Sequence, residues 1–409
     1  MNDTPTPDAR MESAAVAGMA GPDWSARVAE AGAVAEAGAP EADRKRRLSD
    51  GVMAALHGRE LFRLLLPRAQ KGHEMALPEY VRVIETLASF DASAAWCVCQ
   101  GNCCAMVAAY VDREVADRIW GRDPKAVLAW GPGTAEASAD GDGYRLTARS
   151  TFVSGSHHAT WLGVHGPSVL GRDGKPVLDG KGNPEIRTFF FPATETRLIE
   201  NWDVLGLRGT GSDCFEIDGL HVPAAFTVVR ATMSENRPSH GAGALYAFPQ
   251  MPVHAAGFAS TALGTARGFV SAFVGMAQDK VPRLQSAPLR DNPNVQEDLA
   301  IAEARLTASR AWLFEEVERA WAAVSAKGAL PMEMRMGLRL SATHAIRESK
   351  AAVDMLYDAA GTSSVFASSP FERRFRDVHM IAQQVQGRKA HYRTVGAWLL
   401  GHPPDLSVV

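Results

Sequence analysis

The chain has 409 residues, a net charge of −3, and a composition 46% hydrophobic and 22% charged, a globular balance with core enough for about two or three domains. That balance removes the usual argument for nucleic acid or an anionic membrane surface, both of which favour a basic excess. No apolar run is expected to reach the roughly 18 residues of a membrane span, residues 1–13 show no basic stretch followed by an apolar block, and a cytoplasmic location is expected.

Residues 1–22 are small, polar and proline-containing, and are expected to be disordered. Helix follows. Residues 29–42 are alanine-rich, residues 44–56 carry a basic face, and the apolar run 61–66 must stop at Pro67. Residues 77–88 have the i, i+3, i+4 apolar spacing of a helix, with Pro78 tolerated in its first turn. Cys97, Cys99, Cys103 and Cys104, four of the five cysteines, crowd the next segment. Metal ligation would want a nearby histidine or paired Cys-x-x-Cys spacing. Neither is present, so these cysteines read as small apolar residues of a buried helix, and no metal is expected. The helical run continues to Trp120, giving an N-terminal helical domain over residues 23–125.

The pattern changes near Lys125. Residues 126–130, 143–152, 160–164, 186–191 and 214–223 read as strands, separated by glycine- and asparagine-rich turns at 140–143 and 179–183. They form an expected β domain over residues 126–240. From about Tyr246 long helical periods return, at 257–278, 295–327, 331–360 and 377–400. Long helices with short joints make a bundle, assigned to residues 241–409. The expected class is α+β, mostly α, with a helical domain, a small β barrel or sandwich, and a C-terminal four-helix bundle.

Chemistry concentrates first in residues 201–223. Gly206, Gly209 and Gly211, with Arg208, Thr210 and Ser212, make a loop whose backbone can approach a bulky polar ligand, and it opens onto an alternating strand. No Gly-Lys-Ser/Thr ends it and no helix pattern follows it, so it is neither a Walker loop nor a dinucleotide fingerprint. Two further motifs precede it. Trp130, Gly131 and Pro132 sit at the end of the first strand. Phe152, Ser154, Gly155, Ser156, His157 and His158 follow the next long strand.

The element order and these three motifs, from about residue 24 onward, resemble the acyl-CoA dehydrogenase fold, and within it the flavin-dependent two-component monooxygenases that hydroxylate hydroxyphenylacetate, dibenzothiophene or indole-type substrates. The resemblance implies that Trp130, Gly131 and Pro132 border the flavin ring. It implies that Phe152 and Ser154, with Gly155 and Ser156, lie against the ring, Ser154 near N5, and that Arg208, Thr210 and Ser212 lie near the flavin and the way in for substrate. Arg283, Gln285 and Gly361 match positions that hold the cofactor's tail across a subunit boundary, which implies a homotetramer and FAD, with FMN open. Residues 371–377 resemble the family's Glu-Arg-x-x-Arg-Asp stretch, for which a salt-bridge cluster is an equal alternative.

The family's dehydrogenases need a carboxylate base about nine residues after that stretch. Here Gln386 and Gly387 stand there, or Val385, and none of these accepts a proton near neutral pH. The oxygenase branch needs no such base. The resemblance then implies reduced flavin adding dioxygen as a C4a-hydroperoxide, with a separate NAD(P)H-dependent flavin reductase as partner, since the chain carries no dinucleotide fingerprint. The histidine that often serves phenol hydroxylases is Gln384 here. Ser154 and His158 are therefore the expected catalytic residues. Gln384, Gln386 and Gly387 are expected beside the cofactor, and Trp96, His157, Tyr246 and Phe258 beside a small aromatic substrate. An acyl-CoA dehydrogenase with a relocated base, and a noncatalytic flavin-binding homologue, are the alternatives.

Overall fold

Alanine spacing makes the first helix, α1 (Pro22–Lys45). It ends where Arg46 turns to φ 57°, and Ser49 caps α2 (Asp50–Gly58) by accepting the Val52 N–H. The basic stretch expected as continuous helix is thus two helices with a break. Buried Leu77, Tyr80, Val81, Ile84 and Leu87 line one face of α3 (Leu77–Phe90). Asp91 caps α4 (Ala92–Ala105), its Oδ1 accepting the Ala94 N–H at 2.8 Å. The four crowded cysteines are buried in α4 as free thiols. One expectation needs correcting. Residues Ala92–Ala109 have a mean hydropathy of 1.2 over 18 residues, enough in length and composition to cross a membrane, but 94% of that window is buried in the protein core. This computed structural model describes residues 22–166, 169–180, 182–230, 238 and 243–404. The stretch 1–22, expected to be disordered, lies outside the described residues apart from Pro22.

Two sheets follow. One has the order β1 (Leu128–Trp130), β4 (Trp161–Gly166), β6 (Arg187–Pro192), β9 (Thr227–Val229). The other runs β5 (Val169–Leu170), β2 (Gly133–Asp140), β3 (Gly143–Ser150), β8 (Cys214–Pro223), β7 (Arg197–Ile199). β2 and β3 form a hairpin that pairs Gly133 with Ser150 and Asp140 with Gly143, and Gly141 supplies the positive φ of its turn. Leu146, Leu162, Val164, Phe189, Phe191 and Phe215 fill the space between the sheets.

The bundle comprises α5 (Gln250–Asp279), α6 (Pro293–Lys327), α7 (Met332–Ala360) and α8 (Pro370–Gln383), with α9 (Ala390–Leu399) after it. The last helical period, expected to be unbroken, is interrupted at Gln384. Its side chain bonds the Gln386 N–H at 2.7 Å and caps a single turn, Val385–Gly387. α3 and α4 pack against α5, so one core runs from the N-terminal helices into the bundle. The fold is α+β and mostly α, with a helical domain, a two-sheet β domain and a C-terminal helix bundle.

Candidate active site

The three motifs meet at one edge of the β domain. Gly131 lies so close to the second motif that a Cβ there would stand 2.0 Å from the Thr151 carbonyl oxygen. The Ser150 hydroxyl donates to the Gly131 carbonyl at 3.2 Å. The second motif is laced to the glycine loop by Val153 N–H to Asp213 O at 3.2 Å, Gly155 N–H to Thr210 O at 2.8 Å, and Ser156 hydroxyl to Gly211 O at 2.8 Å. β3 ends at Ser150, so Phe152 is not a strand residue. It has φ 54° and is 60% exposed, its ring edge-on to Trp202. A positive φ on a bulky non-glycine residue is strained and held by its surroundings.

A line of hydroxyls runs through this junction. Trp96 Nε1 donates to Ser154 Oγ at 2.9 Å. Ser154 Oγ lies 2.8 Å from Ser212 Oγ, which lies 2.7 Å from Thr210 Oγ1, and Thr210 Oγ1 lies 2.8 Å from the Leu207 carbonyl oxygen. Three hydroxyl protons serve three contacts, and the carbonyl at the end can only accept. Each contact holds one proton only if Thr210 donates to Leu207, Ser212 to Thr210, and Ser154 to Ser212. The chain is therefore one-way. Ser154 spends its proton on Ser212, takes one from Trp96, and keeps a spare lone pair.

The glycine loop is clasped by helices. A Cβ on Gly206 would lie 2.3 Å from the Arg376 carbonyl oxygen and 2.8 Å from the Asp377 nitrogen, and one on Gly209 would lie 3.0 Å from Ser93 Cβ. Leu207 N–H donates to Asp377 Oδ1 at 2.6 Å. Burial, reinforced by the neighbouring Asp91 charge, raises the Asp377 carboxyl to about 7, against the opposing Leu207 hydrogen bond and the Arg373 and Arg376 charges. Arg208 reaches Asp43 O, Asp203 and Val204 O. In the 371–377 stretch, Arg374 binds Glu36, Arg376 binds Asp43 and Glu372, and Arg373 faces Asp91. These arginines form intrachain ion pairs that tie α8 to α1 and α4.

His157 Nε2 lies 2.8 Å from Asp213 Oδ2, while its Nδ1 faces Arg47 at 3.4 Å. An arginine only donates, so Nδ1 accepts and Nε2–H donates to Asp213. Asp213 also takes the Asn201 and Trp202 N–H groups, at 2.5 and 2.7 Å. His157 is thus a brace between two loops. Burial lowers His158 to about 4, helped by His157 and Arg47. Its buried Nε2 has no partner, and the charges acting on it also include Asp50 and His57, on the α2 side. No hydrogen bond or ring contact joins it to Trp96 or Ser154 among the described residues.

Trp96 stacks on Phe258 at 4.0 Å between centroids, and Phe258 faces His254 at 5.9 Å. Gln386 is buried beside the first turn of α5, its Nε2 4.0 Å from Met251 Sδ and its Oε1 accepting from Arg339 Nη1. Gln384 caps the turn that carries it, and Gly387 packs on Ile346. Trp130 is buried with its ring toward His165 and Phe190, and its carbonyl accepts from Gln100. Tyr246 lies elsewhere in the core, its hydroxyl bonded to Leu65 O at 2.9 Å. Arg283 and Gln285 are exposed beyond the far end of α5, whose last residue, Asp279, lies about 31 Å along the axis from Phe258 at 1.5 Å per residue. The Lys280 ammonium bonds Ala360 O and so brings Gly361 to that same end.

The buried carboxylates among the described residues are Asp91, Asp213, Glu316 and Asp377. Each is engaged, by Ala94 N–H, His157, Arg319 and Leu207 N–H respectively. None stands free at the Trp96–Phe258 pair. Asp213, His254 and Arg339 were not singled out from sequence, and Asp377 entered only as the last residue of the 371–377 stretch. Arg339 alone carried a signal, as a charge inside the apolar stripe of Met336, Ala342 and Ile346.

Residues 256–387 match the family model described as acyl-CoA dehydrogenase, C-terminal domain. The chain is 29% identical over 367 residues to an indole-3-acetate monooxygenase of Pseudomonas putida, covering 89% of this chain and 90% of that one. It is 25% identical over 383 residues to the oxygenase component of an Acinetobacter baumannii p-hydroxyphenylacetate 3-hydroxylase, covering 91% and 87%. Two solved structures share its fold. They are 3-HSA hydroxylase from Rhodococcus sp. RHA1 (TM-score 0.84, 23% identity, 95% of this chain and 99% of that one) and XiaF from Streptomyces sp. in complex with FADH2 and glycerol (TM-score 0.85, 23% identity, 97% and 98%).

Proposed function

We propose that this chain, an acyl-CoA dehydrogenase-fold flavin-dependent monooxygenase, works as the oxygenase component of a two-component system that takes reduced flavin from a separate NAD(P)H-dependent reductase and puts one atom of dioxygen into a small aromatic or heteroaromatic substrate. The observation that carries this reading is the one-way hydroxyl chain ending at Ser154. Reduced flavin presents an N–H at N5, whereas oxidised flavin presents a bare acceptor there. Ser154, with a free lone pair and no spare proton, suits the reduced ring.

The residues present fit the group. A strained, exposed aromatic at Phe152 adjoins that polarised hydroxyl, and the Gly131 and Pro132 backbone lies against the same loop. Trp130, Gly131, Pro132, Phe152, Ser154, Gly155 and Ser156 would hold the ring. Arg283, Gln285 and Gly361 lie too far away in the same chain, so they would serve a neighbouring subunit's cofactor, and we favour FAD and a homotetramer. A cytoplasmic location belongs to the same reading. Bound reduced flavin supplies the activation of dioxygen, and the protein supplies binding, orientation and electrostatics.

Within that division, Trp96 holds Ser154 in place and offers an indole face, with Phe258 behind it, against which an aromatic substrate can lie. The burial of Trp96 and Phe258 limits water on that side of Ser154. Gln386 accepts a hydrogen bond from Arg339 and has no carboxylate with which to abstract a proton. That separates this site from a dehydrogenase.

The test is anaerobic titration with reduced and oxidised FAD and FMN, followed by mixing with labelled dioxygen and an aromatic panel. Preferential binding of the reduced form and label in an aromatic product are expected. Bleaching of tightly held FAD by an acyl-CoA under anaerobic conditions would establish the dehydrogenase reading instead.

A further inference from the structure

Trp96 and Phe258 form an aromatic pair, and His254 stands one turn before Phe258 on α5 with its ring toward it. His254 Nδ1 lies 3.0 Å from the Gln250 carbonyl oxygen, which can only accept, so Nδ1 carries the proton. Burial drives the imidazole down to about 4 against that hydrogen bond, and the Arg230 and Arg339 charges add to the push. The ring is therefore neutral near pH 7, in one tautomer, and Nε2 is a bare acceptor.

That acceptor has no donor among the described residues. The nearby polar hydrogens are spent elsewhere. Trp96 Nε1–H goes to Ser154, the Gln250 amide to the Cys103 carbonyl, and the Gln100 amide to the Trp130 carbonyl. Arg230, just beyond β9, lies near enough for its charge to act on both His254 and His165, yet it bonds neither. Unlike His158 Nε2, which is enclosed without a partner, His254 Nε2 keeps accessible surface. His254 is 8% exposed, whereas Val253, Ala255 and Ala256 beside it on α5 are completely buried.

The side chains around it close a circuit. Phe258 stacks on Trp96, and one turn of α4 separates Trp96 from Gln100, which holds the Trp130 carbonyl. The Trp130 ring meets His165 at 5.3 Å, and the Arg230 charge bears on His165 and His254 together. An open acceptor thus stands on the same aromatic wall that ends, through the Trp96 indole N–H, at Ser154.

We propose that His254 Nε2 accepts a hydrogen bond from a ring N–H or O–H of the bound substrate, and so fixes which edge of the ring is turned toward Ser154. The proposal rests on the oxygenase reading above and adds to it a substrate-orienting contact. The imidazole holds that hydrogen without taking it, because burial and the two guanidinium charges oppose its protonation.

The test is anaerobic calorimetry on the reduced-flavin complex with indole and with benzofuran, rings of one shape that differ in the N–H. Indole should bind about tenfold more tightly, the scale of one hydrogen bond to a buried acceptor. H254F keeps a ring against Phe258 and should bring the two affinities within about twofold. H254Q, whose carbonyl oxygen replaces the acceptor, should keep indole ahead. With dioxygen admitted, H254F should give a broader mixture of hydroxylated indole isomers than the wild type. Equal binding of the two rings by the wild type, or binding of neither, overturns the proposal, and so does an unchanged preference or product mixture in H254F. Should H254F not fold, nitrogen NMR of the wild type decides. The His254 Nε2 signal should move with indole and stay with benzofuran, and a signal unmoved by indole overturns the proposal. Failure to bind reduced flavin would sink the oxygenase reading itself, whereas flavin binding without a preference for indole would sink only the role of His254.

Discussion

The hydroxyl oxygens of Ser154 and Ser212 lie 2.8 Å apart, and the proton between them belongs to Ser154. That ownership is set two steps away, by Thr210 donating to the Leu207 carbonyl. T210V keeps the shape and removes the anchor. Ser212 could then donate back to Ser154, which would free the Ser154 proton for the bare N5 of oxidised flavin. The ratio of reduced- to oxidised-flavin affinity should fall by about fivefold to tenfold, the scale of one hydrogen bond. S212A should shift the ratio in the same direction. An unchanged ratio in both variants, with the fold intact by circular dichroism, would show that the direction of the chain does not govern flavin choice.

Gly206 is a packing glycine. A Cβ would meet backbone atoms of Arg376 and Asp377, which cannot swing aside as a side-chain tip can. G206A should cost about 1–3 kcal/mol of stability and loosen the Leu207–Asp377 bond. In contrast, G275A, on α5 with open space around its Cβ, should be neutral or mildly stabilising. Thermal melting of the two variants checks this, and equal melting temperatures would refute the packing argument.

Long helices and the order of the three loop motifs were readable because periodicity and glycine-hydroxyl clusters are local. β2 was not, because Ala135 and Ala137 are its buried residues and alanine is a poor strand marker. The break at Gln384 was hidden because the helical period continues across it, and only the side-chain cap shows that it ends. Phe152 read as the last residue of a strand, yet the strand ends at Ser150 and Phe152 takes φ 54° with its side chain exposed. The Leu207–Asp377 link joins residues 170 apart, and nothing in either segment names the other. His157 and His158 look alike in sequence. Only the fold gives one of them to Asp213 and turns the other toward α2.

Asp377 gives a pH signature. Its carboxyl is held near 7 in the folded chain, chiefly by burial, against an ordinary value of 3.8. A raised folded-state value means that the folded chain binds this proton more tightly. The contribution to stability is therefore complete below about pH 4 and is lost as pH rises toward 7. D377N keeps an acceptor for the Leu207 N–H and cannot ionise. Relative to the wild type it should gain about 1–2 kcal/mol between pH 5.5 and pH 8, read as the difference in unfolding free energy at the two values. A variant that instead loses ground as pH rises would mean that ionised Asp377 is the stabilising form.

Gln386 is one of the two positions, with Val385, at which the resemblance would put a dehydrogenase's base, and it is held by Arg339. Q386E restores the carboxylate in the one place where it cannot serve as a free base, because the guanidinium beside it favours the ionised form and pairs with it. The new pair also supplies the counter-charge that buried Arg339 lacks, so the variant should melt no lower than the wild type and should gain no activity toward acyl-CoA. Q386E separates two ideas about this corner of the bundle. Acyl-CoA oxidation by the variant would show that only the base was missing, whereas a lowered melting temperature would show that the new carboxylate does not pair with Arg339.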